Sequence, residues 1–328
     1  MIDRIPSTPP YIAPLPAGRH TPLWSVMIPA YNCSSYLERT IESVLCQDPG
    51  QDNMQIEVVD DCSTDADVGE IVARIGKGRV GYYRKEQNMG SIRNFETCIN
   101  RAHGSLVHIL HGDDYVSAGF YSEIEKLFTL HPDAGAAFTD FNYVDELDNK
   151  LYLDPEILPA PGLIEDPISF IAEKQRIQPP AMVVKRSVYE KLGSFFAVNY
   201  GEDWEMWARI ASAFPVAHSP KHLACYRVHN NNITTRSLLN GQNIKDIIKV
   251  IGIIQNYIPA EKRKRLEKLA RRNFSIYYAW LAHKLFHDQR DIKAALTQTK
   301  GALALNWNRT TVQLALKLYV KVLIRYKY

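Results

Sequence analysis

The chain is short of sulfur, of long apolar runs and of glycine-rich phosphate loops. Its 328 residues include five cysteines, at positions 33, 46, 62, 98 and 225. That odd, scattered set lacks the paired spacing of a zinc site or a disulfide framework, so the thiols read as reduced, mostly buried small side chains. No apolar stretch reaches the length that crosses a bilayer. The Pro-rich start, MIDRIPSTPPYIAPLPAGRH, has no apolar core of the secretory kind, and the expectation is a cytoplasmic protein. No G-x-G-x-x-G follows the first apolar run, which excludes the dinucleotide fingerprint. A Gly-rich loop carrying Arg and Lys is also missing there, which weighs against a nucleotidyltransferase.

What is present suits a globular chain: 46% hydrophobic residues, 23% charged and 10% aromatic. Charge is unevenly spread. From Gly241 to Tyr328 there are 18 Lys and Arg against 5 Asp and Glu, a balance of +13, so a total of +3 leaves −10 on the first 240 residues. The two parts face different partners. The sequence therefore divides into a Pro-rich arm (1–22), an α/β domain (23–240) and a basic helical region (241–328).

Within the middle part strands and helices alternate. WSVMIPAYN reads as an apolar strand stopped by Pro29, and SSYLERTIESVLCQ as a helix with Leu37, Ile41 and Val44 on one face. MQIEVVDD is a second strand ending in Asp60 and Asp61, RVGYYR a third, and LVHILHGDD a fourth ending in Asp113 and Asp114. This order predicts an α/β fold with a doubly wound, largely parallel, Rossmann-like sheet and a C-terminal helical appendage. Ligands of such sheets sit at the strand C-termini, which puts Pro29 to Asn32, Asp60 and Asp61, Asn88 to Asn94, and Asp113 and Asp114 along one edge. Two adjacent carboxylates there suit a hard divalent cation holding diphosphate oxygens; a solvated acidic turn is the plainer alternative. Asn88 to Asn94, with Gly90 and Arg93, opens a helix whose free N–H groups favour an anion. The stretch from about 145 to 167 is expected to be irregular.

WSVMIPAYN, EVVDDCSTD, NMGSIRNF, HILHGDDYV, GEDWEMWARI and YRVH stand in the order and spacing of family 2 glycosyltransferases. The chain resembles that family from about Trp24 to Thr235, nearest to bacterial members with a His-x-Asp-Asp metal motif. The resemblance implies the GT-A fold and inverting transfer of a sugar from a nucleotide-diphosphate sugar, UDP- or dTDP-linked, to a hydroxyl of a glycan or lipid-linked acceptor in surface polysaccharide synthesis. It implies that Pro29, Ala30, Tyr31 and Asn32 bracket the nucleoside and that Asp61 accepts a ring N–H of uracil or thymine, unless it caps the following turn. Asn88, Gly90 and Arg93 would meet the diphosphate, and Asp113 the ribose and the metal region. Asp114 would bind the metal, Mn2+ or Mg2+, with His229 closing over it. His111 stands where many relatives are acidic, and reads equally as a ligand or as a buried strand-end histidine. Asp203 is the candidate general base, with Glu202 as the alternative; both also fit a helix N-cap. Trp204 reads as a sugar platform or as a core residue.

A non-catalytic sugar-nucleotide-binding scaffold is the competing reading, and the joint presence of Asp114 and Asp203 argues against it. In the basic tail, TVQLALKLYVKVLIRYKY sets Leu314, Leu318, Val322 and Ile324 among Lys317, Lys321, Arg325 and Lys327. Cations interleaved with apolar residues fit an anionic membrane surface on the inner face of the plasma membrane, packing on the protein, or a homodimer interface, better than nucleic acid.

Overall fold

A computed structural model describes residues 3–16, 18, 20–153, 157–229 and 233–324. The elements of the first three quarters are β1 (Trp24–Ala30), α1 (Ser34–Leu45), β2 (Met54–Asp60), α2 (Val68–Gly76), β3 (Gly81–Arg84), α3 (Ser91–Arg101), β4 (Leu106–Ile109), β5 (Tyr115–Val116), α4 (Phe120–Leu130), β6 (Ala136–Val144), β7 (Lys150–Leu153), β8 (Gly162–Leu163), α5 (Pro167–Ala172), β9 (Met182–Lys185), α6 (Arg186–Leu192), α7 (Glu202–Ala211) and β10 (Val216–Arg227). Five helices follow: α8 (Ile233–Asn240), α9 (Gln242–Ile254), α10 (Ala260–Asp288), α11 (Ile292–Leu305) and α12 (Arg309–Leu323). The chain divides into two compact units, Met1–Pro167 with Ile177–Ala197 and Arg209–Val228, and Ile168–Arg176 with Val198–Ala208 and His229–Tyr328.

The first unit holds a sheet in the order β3-β2-β1-β4-β9-β6-β10-β5, with β7 beside β6 and β8 beside β10. Pairings among β3, β2, β1 and β4 are parallel. β1 lies in the middle of that block with all seven residues buried, which is why it is apolar apart from Ser25, whose hydroxyl is hydrogen-bonded to Gln55, and does not alternate. Helix α1 buries Leu37, Ile41 and Val44, and α3 buries Ile92, Phe95, Cys98 and Ile99, the i, i+3, i+4, i+7 spacing of a helix lying on a sheet. β9 enters antiparallel between β4 and β6, while β6 and β10 pair parallel.

Pro29 does not stop the first strand; β1 runs on to Ala30, with Pro29 in register with Val59. Beside it β4 has already ended, pairing only as far as Met27 with Ile109, and the Pro29 carbonyl accepts from Gly112 N–H at 3.1 Å. No ladder donor is missed at that position. The segment expected to be irregular contains two short strands, β7 and β8, which add to β6 and β10. Their sequences are too short for periodicity to be read.

In the second unit, α11 and α12 start at side-chain caps, Asp291 accepting from Ala294 N–H and Asn308 from Thr311 N–H. Ala282, Leu285, Phe286, Ala294, Ala295 and Leu318 form a cluster, with Leu281 and Val322 packed on it. The tail stripe of the sequence reading is thereby split. Leu314 and Leu318 are buried, whereas Ile324 is exposed together with Leu316, Val320 and Leu323; Arg325 and Lys327 lie outside the described residues. No described helix is long and apolar enough to cross a membrane.

Candidate functional site

The parallel block delivers three loops to its C-terminal edge. Asp60 ends β2 fully buried, where it takes Arg84 Nη1 at 2.5 Å, the Tyr82 hydroxyl at 2.9 Å and Ser63 N–H at 2.8 Å. These bonds fix the turn that follows. Asn32, at a left-handed φ of +51°, donates its N–H to Ser63 Oγ and accepts from Thr64 N–H, so it joins the ends of β1 and β2. Ala30 is buried and Tyr31 exposed.

Asp61 is also buried, and its carboxylate holds the next loop. It accepts from Asn88 Nδ2 at 3.0 Å, Met89 N–H at 3.0 Å and Gly90 N–H at 2.8 Å, and pairs with Lys85 Nζ at 3.2 Å. These contacts engage most of what a carboxylate can accept. On the sequence Asp61 offers base recognition or a cap on the 63–65 turn; its partners within the protein belong to the entrance of α3. Gly90 sits there at φ +88°, a conformation costly for any residue with a Cβ. Arg93, one turn in, pairs with Glu96 at 2.7 Å and donates from Nε to the Asp3 carbonyl, while Arg4 donates to the carbonyl and side chain of Asn88.

The third loop carries the paired carboxylates. A Cβ on Gly112 would come within 2.7 Å of Cys33 Sγ, so glycine lets the turn pass close against the end of β1. Thr40 of α1, fully buried, donates to the Asp114 carbonyl at 2.7 Å. Asp114 Oδ1 accepts from Arg227 N–H at 2.8 Å, but Oδ2 is buried with no hydrogen-bond partner. Burial first, and the Asp113 charge second, hold this carboxyl well above the usual range. His111 Nδ1 stands 3.9 Å from Asp114 Oδ2, its ring stacked on Phe95 at 5.0 Å. Burial lowers the His111 pKa against the opposing pull of Asp113, which favours the neutral imidazole that ligates metals. His111, Asp113 and Asp114 offer ligand atoms within 4.8 Å of one another. Two carboxylates and one imidazole, with a buried oxygen lacking a hydrogen-bond partner, fit a divalent cation. On the sequence His111 and His229 each read evenly as a metal ligand or as an ordinary histidine; His229 falls in the second unit, where its carbonyl accepts from Thr235.

The second unit carries the other expected group. Asp203, 5% exposed, accepts Trp204 N–H on Oδ1 and Gln175 Nε2 on Oδ2, both at 2.7 Å. Burial pushes its pKa up to about 6, against the lowering by those two donors. Burial and then the Asp203 charge hold Glu202 well above its ordinary value. Trp204 is 1% exposed, donates Nε1–H to Ile171 O at 2.7 Å and packs on Phe274 at 4.8 Å. It is a core side chain without an open face for a sugar.

The family model described as Glycosyl transferase family 2 matches residues 25–193, just over half of the sequence. The chain belongs to glycosyl transferase family 2. An uncharacterized glycosyltransferase of Haemophilus influenzae is 24% identical over 252 residues, covering 71% of this chain and 76% of its own. Among solved structures, S. aureus TarS 1-349 in complex with UDP-GlcNAc superposes with a TM-score of 0.66 at 13% identity, covering 92% of this chain and 91% of that one. The mannosyltransferase PcManGT of Pyrobaculum calidifontis, in complex with GDP-Man and Mn2+, gives 0.58 at 18% identity, covering 96% and 84%. At such identities the likeness shows the fold, a GT-A arrangement.

One residue of this glycosyltransferase, the arginine of YRVH, has a role that its motif does not signal. Arg227, 3% exposed, donates Nε–H to the Asp113 carbonyl, Nη1–H to the Asp145 carbonyl and Nη2–H to Asp148, and lies over the Tyr36 ring at 4.8 Å. It ties the carboxylate turn to the ends of β6 and β10. The two kinds of buried charge have opposite expected effects on metal-free stability. Arg227→Met leaves buried carbonyls without donors and costs about 2–4 kcal/mol in thermal or urea unfolding. Asp114→Asn removes a poorly compensated charge and leaves metal-free stability equal or higher. A metal-free Asp114→Asn protein less stable than wild type would show that this carboxylate is structural.

Proposed function

We propose that this glycosyltransferase moves a sugar, with inversion at the anomeric carbon, from a UDP- or dTDP-sugar to a hydroxyl of a glycan or lipid-linked acceptor, and that it requires a divalent cation. The observation that carries the reading is the buried, partnerless Oδ2 of Asp114 beside Asp113 and His111 at the end of a parallel sheet. TarS in complex with UDP-GlcNAc and PcManGT with GDP-Man and Mn2+ lend support through a shared fold. In this reading Pro29, Ala30, Tyr31 and Asn32 border the nucleoside, and Asp61 fixes the loop from Asn88 to Gly90 beside it. The N–H groups at the start of α3 and the Arg93 guanidinium stabilise the diphosphate. Asp114, Asp113 and His111 hold the cation; when bound, it neutralises charge that builds on the leaving diphosphate.

Asp203 takes the proton of the acceptor hydroxyl as that oxygen attacks the anomeric carbon from the face opposite the leaving group. The bond to the diphosphate oxygen breaks as the new glycosidic bond forms, and no covalent enzyme intermediate is needed. Glu202 is the alternative base, its carboxyl also raised, by burial first and then by the Asp203 charge.

A panel of UDP-, dTDP- and GDP-sugars, followed by NMR of the product anomer, tests the reaction class; a retained anomer contradicts inversion. With the donor so found, Asp203→Asn is expected to keep donor binding and to lower transfer by about 10²–10⁴. A base must be ionised, so kcat/KM of the wild type should fall as pH drops through about 6. Activity that is level from pH 5 to 8, or a fully active Asp203→Asn, removes the assignment.

The acceptor, in this reading, is met at an anionic membrane surface. Support comes from α12, where Leu316, Val320 and Leu323 are exposed and no acidic residue occurs among Lys317, Lys321 and Arg309. Co-sedimentation with anionic vesicles at low salt should be strong and should be lost in Leu316→Ser/Val320→Ser. Absence of binding to any vesicle leaves that face to a second copy of the chain.

A further inference from the structure

Within the second unit, the surroundings of Asp203 extend beyond the motif that marks it. Its Oδ2 receives a single side-chain donor, the Gln175 amide at 2.7 Å, from a segment 28 residues earlier in the chain. That segment is itself held. The Trp204 indole donates to the Ile171 carbonyl at 2.7 Å and Asn273 Nδ2 to the Glu173 carbonyl at 2.8 Å. Arg176 bonds Glu173, donates to the Phe170 carbonyl at 3.3 Å and lies over the Phe170 ring at 4.7 Å. Backbone bonds on one side of Gln175 and the Arg176 contacts on the other hold the backbone from which its side chain reaches Asp203.

We infer that Gln175 is the positioning residue of the base, a neutral donor that orients the Asp203 carboxylate and sets its basicity. The inference rests on the reading of Asp203 as the base. Trp204 N–H takes Oδ1 at 2.7 Å and Gln175 takes Oδ2, so the carboxylate is gripped at both oxygens and cannot rotate about its χ2 without losing a bond. Each oxygen keeps a further lone pair for an incoming hydroxyl. The neutrality of the donor matters. A Lys or Arg at this place would stabilise the anion strongly and weaken it as a base, whereas an apolar residue would leave only the Trp204 N–H to oppose burial and raise the carboxyl further. An amide lies between these extremes. Trp204, open on the sequence to a sugar-platform or a core reading, acts in this account one step behind the chemistry, by holding the loop that carries Gln175.

The test reads Asp203 directly and does not need the natural donor. Full-length protein labelled with 13C at aspartate carboxyls is titrated by NMR, and the resonance missing from Asp203→Asn identifies Asp203. In wild type it should titrate near 6. In Gln175→Leu it should move up by about half a unit to one unit, the effect of losing one hydrogen bond to the ionised form, with the thermal midpoint little changed. Gln175→Lys should move it down. An Asp203 titration unchanged in both variants, each still folded by its melting curve, overturns the inference. In kinetics on the turned-over sugar nucleotide, the acid limb of the Gln175→Leu kcat profile should shift in the same direction as the resonance. If Asp203→Asn transfers normally while the NMR shifts occur as described, the base assignment fails and the Gln175 contact stands as a structural one.

Discussion

An ionised carboxylate withdrawn from water must be compensated, and the proposed chemistry rests on two that are compensated only in part. Asp114 has one oxygen bonded and one without a partner; Asp203 has two donors, both neutral. Burial of such groups raises their pKa and costs stability. A chain keeps them where a ligand supplies the missing charge or where basicity is the purpose. Asp60, at a neighbouring strand end, shows the opposite treatment, with a guanidinium, a phenol and an amide N–H around its carboxylate. Of the buried aspartates, Asp60 and Asp61 thus hold the loops together, while Asp114 and Asp203 keep fewer compensating partners.

The scaffold explains how that imbalance is tolerated. Strands β1 and β2 end together and β4 stops three residues short of them, and each loop they release is pinned by bonds from elsewhere in the sheet or its helices: Asn32 to the 63–64 turn, Asp61 to the 88–90 loop, Thr40 and Arg227 to the 112–114 turn. Stability lost at Asp114 is offset by these neighbours. The arrangement agrees with the placement of ligand sites at the carboxyl ends of parallel strands.

The alternation of apolar runs and amphipathic segments made the parallel block readable, because buried parallel strands are apolar throughout and their crossover helices repeat every 3 to 4 residues. The order of six short motifs made the family readable. Other features carry no local signal. Pro29 within β1 depends on where β4 stops; the two short strands β7 and β8 depend on the edges they join. Arg227 sat inside a quoted motif, yet its role follows from contacts with Asp113, Asp145 and Asp148, which only the fold assembles. Trp204 at helical spacing was open to two readings, and burial with a satisfied indole decided for the core. Gln175 had no sequence signal: a lone glutamine far from the acidic pair in sequence gains its meaning from a 2.7 Å contact.

The central claim is that the Asp114 carboxylate is left incompletely bonded because a divalent cation completes it. Binding of Mn2+ followed by electron paramagnetic resonance, with and without UDP, measures this most directly. The account predicts one saturable Mn2+ per chain in wild type, tightened by UDP, and its loss in Asp114→Asn with the fold intact. Equal Mn2+ binding by the two proteins, or none by wild type in the presence of UDP, would contradict it.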